Sequence, residues 1–309
     1  MPHRVLRCVV AALSAVTVSA AVTACGSDSL GLPTHTSAPT VHVNPSAVAP
    51  VSALEAKVPA KIRKQSTLRI AADASYAPNE FLAGDGKTVE GMDIDLITAA
   101  TRKLGLKADV INASFASIIL GVTSGKYDAG VSSFTITNDR MRQVTMVSYF
   151  TAGSLWVTKK GNPQHVDSKN ACGHTIGVQK GTTQLDELQT ASKKCTSSGK
   201  KAIHLVIEQN QSKVTADLIS GKVDAMAADS PVALYAIQQT GTQLAPLGKT
   251  YATAPYGVVL PKRETKFGAA LAAAFRSLQQ DGTYHKILAK WANASGATTT
   301  FAVNPDVND

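Results

Sequence analysis

The 309-residue chain predicts an α/β fold of two similar lobes facing a cleft, and three observations carry that prediction. Apolar runs with strand alternation take turns with segments of helical apolar spacing, the pattern of parallel sheets with crossover helices. A six-residue stretch then recurs: Ser124-Gly125-Lys126-Tyr127-Asp128-Ala129 is echoed 96 positions later as Ser220-Gly221-Lys222-Val223-Asp224-Ala225. Each copy follows an amphipathic helix and enters a strand that empties into polar residues, Ser132-Ser133 in the first and Asp229-Ser230 in the second. Two lobes built this way would bind a ligand between them, because open sheets take ligands at the carboxyl ends of their strands.

In chain order, residues 67–71 alternate as a strand and run into a turn-rich loop from Asp73 to Pro78. Gly84-Asp85-Gly86-Lys87 marks a hairpin turn. Residues 93–104 place Ile94, Ile97 and Leu104 on one helical face, with Gly105 as the stop. Val110-Ile111 predicts a second strand, and Phe115, Ile118, Ile119 and Val122 predict a helix ended by Gly125. After the first echo, residues 175–179 predict a strand that opens into a helix carrying Leu185 and Leu188. Val214, Leu218 and Ile219 form the helix before the second echo, and Ser230-Pro231 reads as the N-cap and first residue of the next. An extended segment at 256–260, a helix with Phe267, Leu271, Phe275 and Leu278, and a short helix with Tyr284, Ile287, Leu288 and Trp291 close the body. These stripes read as core, and no cofactor is expected.

The stretch 127–140 gathers Ser132, Ser133, Thr135 and Thr137 ahead of Arg140, in what reads as the first turn of a helix. Hydroxyls, free backbone N–H groups and a guanidinium in one corner suit an anion. Lys180-Gly181-Thr182-Thr183-Gln184 forms a second such corner at a helix start, without the glycine spacing of a P-loop.

Composition narrows the function. The 44% hydrophobic and 17% charged fractions are those of a soluble globular body. Aromatics are only 5% and no basic run interleaves with them, so nucleic acid is excluded as a partner. The net charge of +9 falls to about +7 once Arg4 and Arg7 leave with a signal. That signal spans residues 1–25: two arginines, an apolar run, then Val22-Thr23-Ala24-Cys25-Gly26, which resembles a bacterial lipobox with Cys25 as the lipidated residue. Its two or more acyl chains would anchor the chain durably. Residues 26–57, rich in Ser, Thr, Pro and Ala, read as a disordered tether, and 295–309 as a loose tail. With Cys8 in the signal, Cys172 and Cys195 remain, and in an exported chain they predict a disulfide of about 3 kcal/mol. No ligand spacing for a metal is present.

These landmarks, in order, resemble the family 3 extracellular solute-binding proteins, the amino-acid receptors of ABC importers. The motifs are DASYAPNEF, GMDIDL, FASIILGVTSGKYDAGVSSFTITNDR, GVQKGTTQ, GKVDAMAADSPVALY and DGTYHKILAKW, spread over roughly residues 61–291. Met92 and Asn79 depart from the family pattern, which has an aromatic or branched residue at the first and an aromatic at the second. The resemblance implies a type II periplasmic-binding-protein fold with two hinge strands, crossing near residues 155–159 and 250–256. It divides the chain into lobe 1 (58–154 and 251–294) and lobe 2 (155–250).

By position, the resemblance implies that Arg140 clamps a ligand α-carboxylate, helped by Thr135 and Thr183. Asp229, with Ser132 or Ser133, would take the α-ammonium. Tyr76 and Phe115 would sandwich the side chain, and Asp73, Gln179 and Gln184 would meet its far end. The function implied is a monomeric lipoprotein on the outer face of the cell membrane, serving an ABC permease and ATPase. The alternatives are a sensory receptor for a membrane partner and a dehydratase-like enzyme on the same scaffold. Against the enzyme, no nucleophile elbow, zinc motif or carboxylate pair with a neighbouring histidine is present.

Overall fold

The computed structural model describes residues 42–307; the expected signal and Cys25 lie outside them. Along the chain run α1 (Ser52–Glu55), α2 (Ala60–Gln65), β1 (Thr67–Ala72), β2 (Ser75–Tyr76), β3 (Glu80–Leu82), β4 (Val89–Glu90), α3 (Met92–Lys103), β5 (Lys107–Asn112) and α4 (Phe115–Thr123). Then come β6 (Ala129–Gly130), α5 (Asn138–Gln143), β7 (Val144–Lys159), β8 (Thr175–Gln179), α6 (Thr183–Ser197), β9 (His204–Glu208) and α7 (Gln211–Ser220). The chain closes with β10 (Ala225–Asp229), α8 (Ser230–Gln239), β11 (Leu244–Pro261), α9 (Thr265–Gln280) and α10 (Thr283–Lys290).

One eight-stranded sheet runs through the body in the order β5-β1-β6-β11-β7-β10-β8-β9, and β2-β3-β4 form a small sheet beside it. The outer trios are parallel, and the long strands β7 and β11 join them as an antiparallel ribbon. The echo occupies equivalent places: β6 and β10 each border the ribbon and pair with the middle strand of their trio. Its aspartates do the same work. Asp128 Oδ2 accepts from Arg69 N at 2.9 Å, and Asp224 Oδ2 accepts from Thr175 N at 2.8 Å, each holding the first half of the neighbouring strand. Gly125 and Gly221 end the preceding helices at φ +77° and +84°, where a side chain would be strained.

Each lobe buries apolar residues on both sheet faces. In lobe 1, Leu96, Phe275 and Tyr284 pack on one face, with Phe115, Ile118 and Phe134 on the other. In lobe 2 the two faces hold Trp156, Ile176 and Leu188, and Val157, Val214 and Leu218. The ribbon passes from one lobe's core to the other's between Ala152 and Leu155, and between Tyr251 and Tyr256. The first crossing therefore lies upstream of the expected 155–159, because Leu155, Trp156 and Val157 already serve lobe 2. A strand buried on both faces reads the same in sequence whether or not it crosses between lobes.

Both chain ends differ from expectation. Most of the expected tether, residues 26–41, lies outside the described residues, and its last part is docked: Val51 N donates to Lys103 O at 3.0 Å, and Leu54 and Val58 enter the lobe 1 core. Apolar residues spaced through a Ser/Pro-rich segment suffice to dock it. The tail is not loose either, since Phe301 is buried, stacks on Phe275 and meets Tyr284 edge-on. No helix among the described residues is long and apolar enough to cross a membrane.

Candidate functional site

Arg140 sits in α5, whose N-cap Thr137 accepts from Arg140 N at 3.2 Å. The guanidinium donates through Nη1 to Thr135 O at 2.7 Å and through Nη2 to Gly181 O, in the opposite lobe, at 3.1 Å. It lies 5.5 Å from the ring centres of both Phe115 and Phe134, which stack on each other at 4.5 Å. The rings supply a cation–π surface and keep water from one side of the charge. Burial lowers its pKa against the pull of Asp229 and Asp186, yet a guanidinium stays protonated. Two of its five N–H groups hold backbone carbonyls, which leaves up to three donors for a carboxylate.

Asp229 closes β10 on the other lobe and is buried. Its Oδ1 accepts from Gln184 Nε2 at 2.7 Å, its Oδ2 from Tyr256 OH at 2.6 Å, and its N–H donates to Tyr76 OH at 3.3 Å. Asp229, rather than Ser230, is the N-cap residue of α8, but its side chain makes no capping bond. Burial raises its pKa, and hydrogen bonds from Tyr256, Gln184 and Tyr76, with the charge of Arg140, pull it back. Thr182 caps α6, accepting from Leu185 N at 3.3 Å, so the corner read at 180–184 opens the helix one residue before Thr183.

Asp73 bridges the lobes: its Oδ2 accepts from Phe115 N at 2.8 Å and from Gln179 Nε2 at 3.0 Å. Burial raises its pKa, and hydrogen bonds led by Ser75 oppose the rise. Gln179 Oε1 is buried without a donor among the described residues. Gln184 belongs to the Asp229 end of the site, not to the end formed by Asp73 and Gln179; Nε2 also donates to Ser154 Oγ at 2.8 Å. Ser132 turns inward: its hydroxyl donates to Glu80 Oε1 at 2.8 Å and accepts from Asp73 N at 3.0 Å. Ser133, at φ +51°, is held by Asp93 Oδ2, which accepts from its N–H at 2.7 Å and its Oγ at 3.1 Å. Asn79 Nδ2 donates to the same Oγ at 2.8 Å.

Behind these serines Glu80 and Asp93 form a fully buried carboxyl pair. Burial first, then the charge of Asp93, pushes Glu80 well above the usual carboxylate range, while burial brings Asp93 up to about 6 against bonds from Tyr149, Glu80 and Ser133. Glu80 Oε2 and Asp93 Oδ1 lack a donor among the described residues, and a proton held by one carboxyl would bond the other.

Nine of the eleven residues singled out in the sequence line one cavity: Tyr76, Phe115, Ser133, Thr135 and Arg140 from lobe 1, and Gln179, Thr183, Gln184 and Asp229 from lobe 2. Asp73 and Ser132 stand behind its wall. Sequence reasoning missed Thr182, which also lines it, and Phe134, Ser154 and Tyr256, which position its members. The hydroxyl of Thr182 was visible beside Thr183; Tyr256 reaches Asp229 only through the fold. The cavity measures about 10 Å³, room for about one water, so the lobes are closed on each other. It adjoins a groove of about 890 Å³ at the ribbon side that Arg140, Thr183, Gln184 and Asp229 also line. Cys172 and Cys195 form a disulfide in lobe 2 with a Cα–Cα distance of 5.6 Å.

A mixed sheet in two lobes around a polar cleft, with cation and carboxylate on opposite walls, defines a type II periplasmic-type binding protein. The chain belongs to the bacterial extracellular solute-binding proteins, family 3, whose model matches residues 68–294. The arginine-binding protein ArgT of Corynebacterium glutamicum is 30% identical over 256 residues, 82% of this chain and 84% of the relative. An ancestral arginine-binding protein solved with arginine is 33% identical with a TM-score of 0.68, over 73% of this chain and 98% of that one. An ancestral amino acid-binding protein described as a precursor of cyclohexadienyl dehydratase is 28% identical with a TM-score of 0.67, over 75% and 97% of the two chains.

Proposed function

We propose that this protein is a lipid-anchored extracytoplasmic receptor that closes over a polar L-amino acid, with arginine the first candidate, and delivers it to an ABC permease. The observation that carries this reading is the opposition of Arg140 and Asp229 across one small cavity. A zwitterion needs a fixed cation, a fixed anion and a lid that excludes water; Arg140, helped by Thr135 and Thr183, meets the carboxylate, and Asp229 takes the ammonium. Tyr76 and Phe115 flank the side chain, and Gln179, oriented from behind by Asp73, offers its Oε1, without a donor among the described residues, to a cationic end, with the Asp73 charge behind it. The relatives named for arginine binding support that choice.

The same arrangement favours a binder over a catalyst. Asp229, Asp73 and Tyr76 are each tied to polar partners lining or backing the cleft, which suits holding a ligand more than moving its protons. Cys25 would carry the lipid, and the permease and ATPase would be the partners.

The test is a thermal-shift screen of the standard L-amino acids followed by calorimetry. A ligand at a hundred times its Kd stabilises the folded state by about 2.7 kcal/mol. At least one amino acid with a polar or cationic side chain is expected to raise the melting temperature. Binding of none tighter than millimolar contradicts the reading.

A further inference from the structure

We infer that the C-terminal segment 298–307 is a strap that positions the Arg140 helix and walls the cleft mouth, with Asn304 and Val307 as its positioning residues. This rests on the binding reading above and assigns a role to residues beyond the family match, which ends at residue 294.

The strap is anchored first in the lobe 1 core. Phe301 is buried against Phe275 and Tyr284, and its carbonyl accepts from Arg276 Nη1 at 2.6 Å. From there it zips along the start of β7. Ser148 N donates to Ala302 O at 2.9 Å, Val303 bridges Val147 in antiparallel register, and Asn304 N donates to Met146 O at 2.8 Å. Asn304 holds the left-handed conformation, φ +46°, and its Oδ1 accepts from Met146 N at 2.8 Å. An asparagine suits both tasks, since it tolerates that conformation and carries a short acceptor.

Met146 lies three residues beyond Gln143, the last residue of α5, so this zipper fixes the C-terminal end of the helix that carries Arg140. The strap then reaches the other end. Asn138, the first residue of α5, donates to Val307 O at 3.5 Å. Val307 packs against the cluster containing Phe115 and Phe134, the two rings beneath the Arg140 guanidinium. It also lines the groove at the cleft mouth together with Arg140. A helix of six residues has little stability of its own, so contacts at both ends decide where its guanidinium points.

Two variants test the strap: a chain ending after Asn304, which keeps the Phe301 anchor, and Asn304→Ala in the full chain. Each is read by the Kd for L-arginine, or for whichever amino acid the screen returns, and by the melting temperature without ligand. Both should raise Kd by about tenfold while the ligand-free melting temperature moves by only a few degrees. Kd unchanged in both variants overturns the proposal, as does a lowered melting temperature with Kd unchanged, which marks a purely structural segment. If the shortened chain fails to fold, Asn304→Ala carries the same readout. Failure of the unaltered chain to bind any amino acid would instead strike the functional reading, and that result is seen before either variant is made.

Discussion

Arg140 donates to the carbonyl oxygen of Gly181 at 3.1 Å, so the residue proposed to hold a ligand carboxylate also holds the opposite lobe. Gly181 precedes the α6 cap at φ +81°, and a Cβ there would stand 3.2 Å from Ala116 Cβ on lobe 1. On that proposal, closure and ligand capture share one contact. Gly181→Ala should resist closure, raising ligand Kd several-fold and the small-angle scattering radius with ligand. Gly125→Ala is the control: it has the same backbone strain, φ +77°, but open space around it. Both should lose about 1 kcal/mol of stability. Equal ligand affinity in the two variants would show that the lobe contact is irrelevant to binding.

Asp229 is a buried carboxylate whose pKa is raised by burial, so its charge is held at some expense of stability. Asp229→Asn keeps one acceptor, for Tyr256, lets Gln184 turn its amide to accept from the new N–H, and removes the charge. The ligand-free protein should melt at the same or a higher temperature, while amino-acid affinity falls by about 2–5 kcal/mol. Calorimetry on the variant checks this, and undiminished affinity would remove Asp229 from the ammonium site.

The Glu80–Asp93 pair predicts a pH dependence. Both carboxyls titrate higher folded than unfolded, Asp93 at about 6 and Glu80 well above its usual range. The folded state then binds more protons, so the pair's contribution is full below about pH 4 and is lost as pH rises through 6 and beyond. Glu80→Gln relieves the repulsion and keeps an acceptor for Ser132. Its melting temperature should fall less than that of the unaltered protein between about pH 5 and 7. Parallel curves would mean that the pair does not share a proton.

The Cys172–Cys195 disulfide closes a loop with a sequence separation of 23 and ties the end of α6 to the approach to β8. Replacing both cysteines with serine should lower stability by about 3 kcal/mol in a denaturant titration. Because the bridge lies away from the cleft, ligand Kd should hold. A loss of affinity larger than the loss of stability would tie lobe 2 rigidity to binding.

Much of this fold was legible because it is written twice. The echo marks β6 and β10 independently of any partner, and the structure shows why: Asp128 and Asp224 each hold the first half of a neighbouring strand. Arg140, Asp229 and Thr183 were legible from hydroxyls and charge placed at strand ends. The inward turn of Ser132 was not, since Glu80 and Asp93 meet the two serines only through the fold. Asn79 and Met92 stood out as departures from the family pattern, and they turn out to share a partner. Asn293 Nδ2 donates to Asn79 Oδ1 at 3.1 Å and to Met92 Sδ at 3.2 Å, joining two sites 13 residues apart in sequence through the last segment of lobe 1. The hinge and tail were misread for one reason: apolar residues on a strand or extended strap report burial, not which body buries them.

Arg140 is the proposed clamp for the ligand carboxylate, and calorimetry of Arg140→Ala with the tightest amino acid from the screen decides it. Loss of the clamp in a closed cleft should weaken binding by about 2–5 kcal/mol, roughly thirtyfold or more, with the circular dichroism spectrum unchanged. Affinity within about twofold of the unaltered protein would mean that Arg140 does not hold the carboxylate.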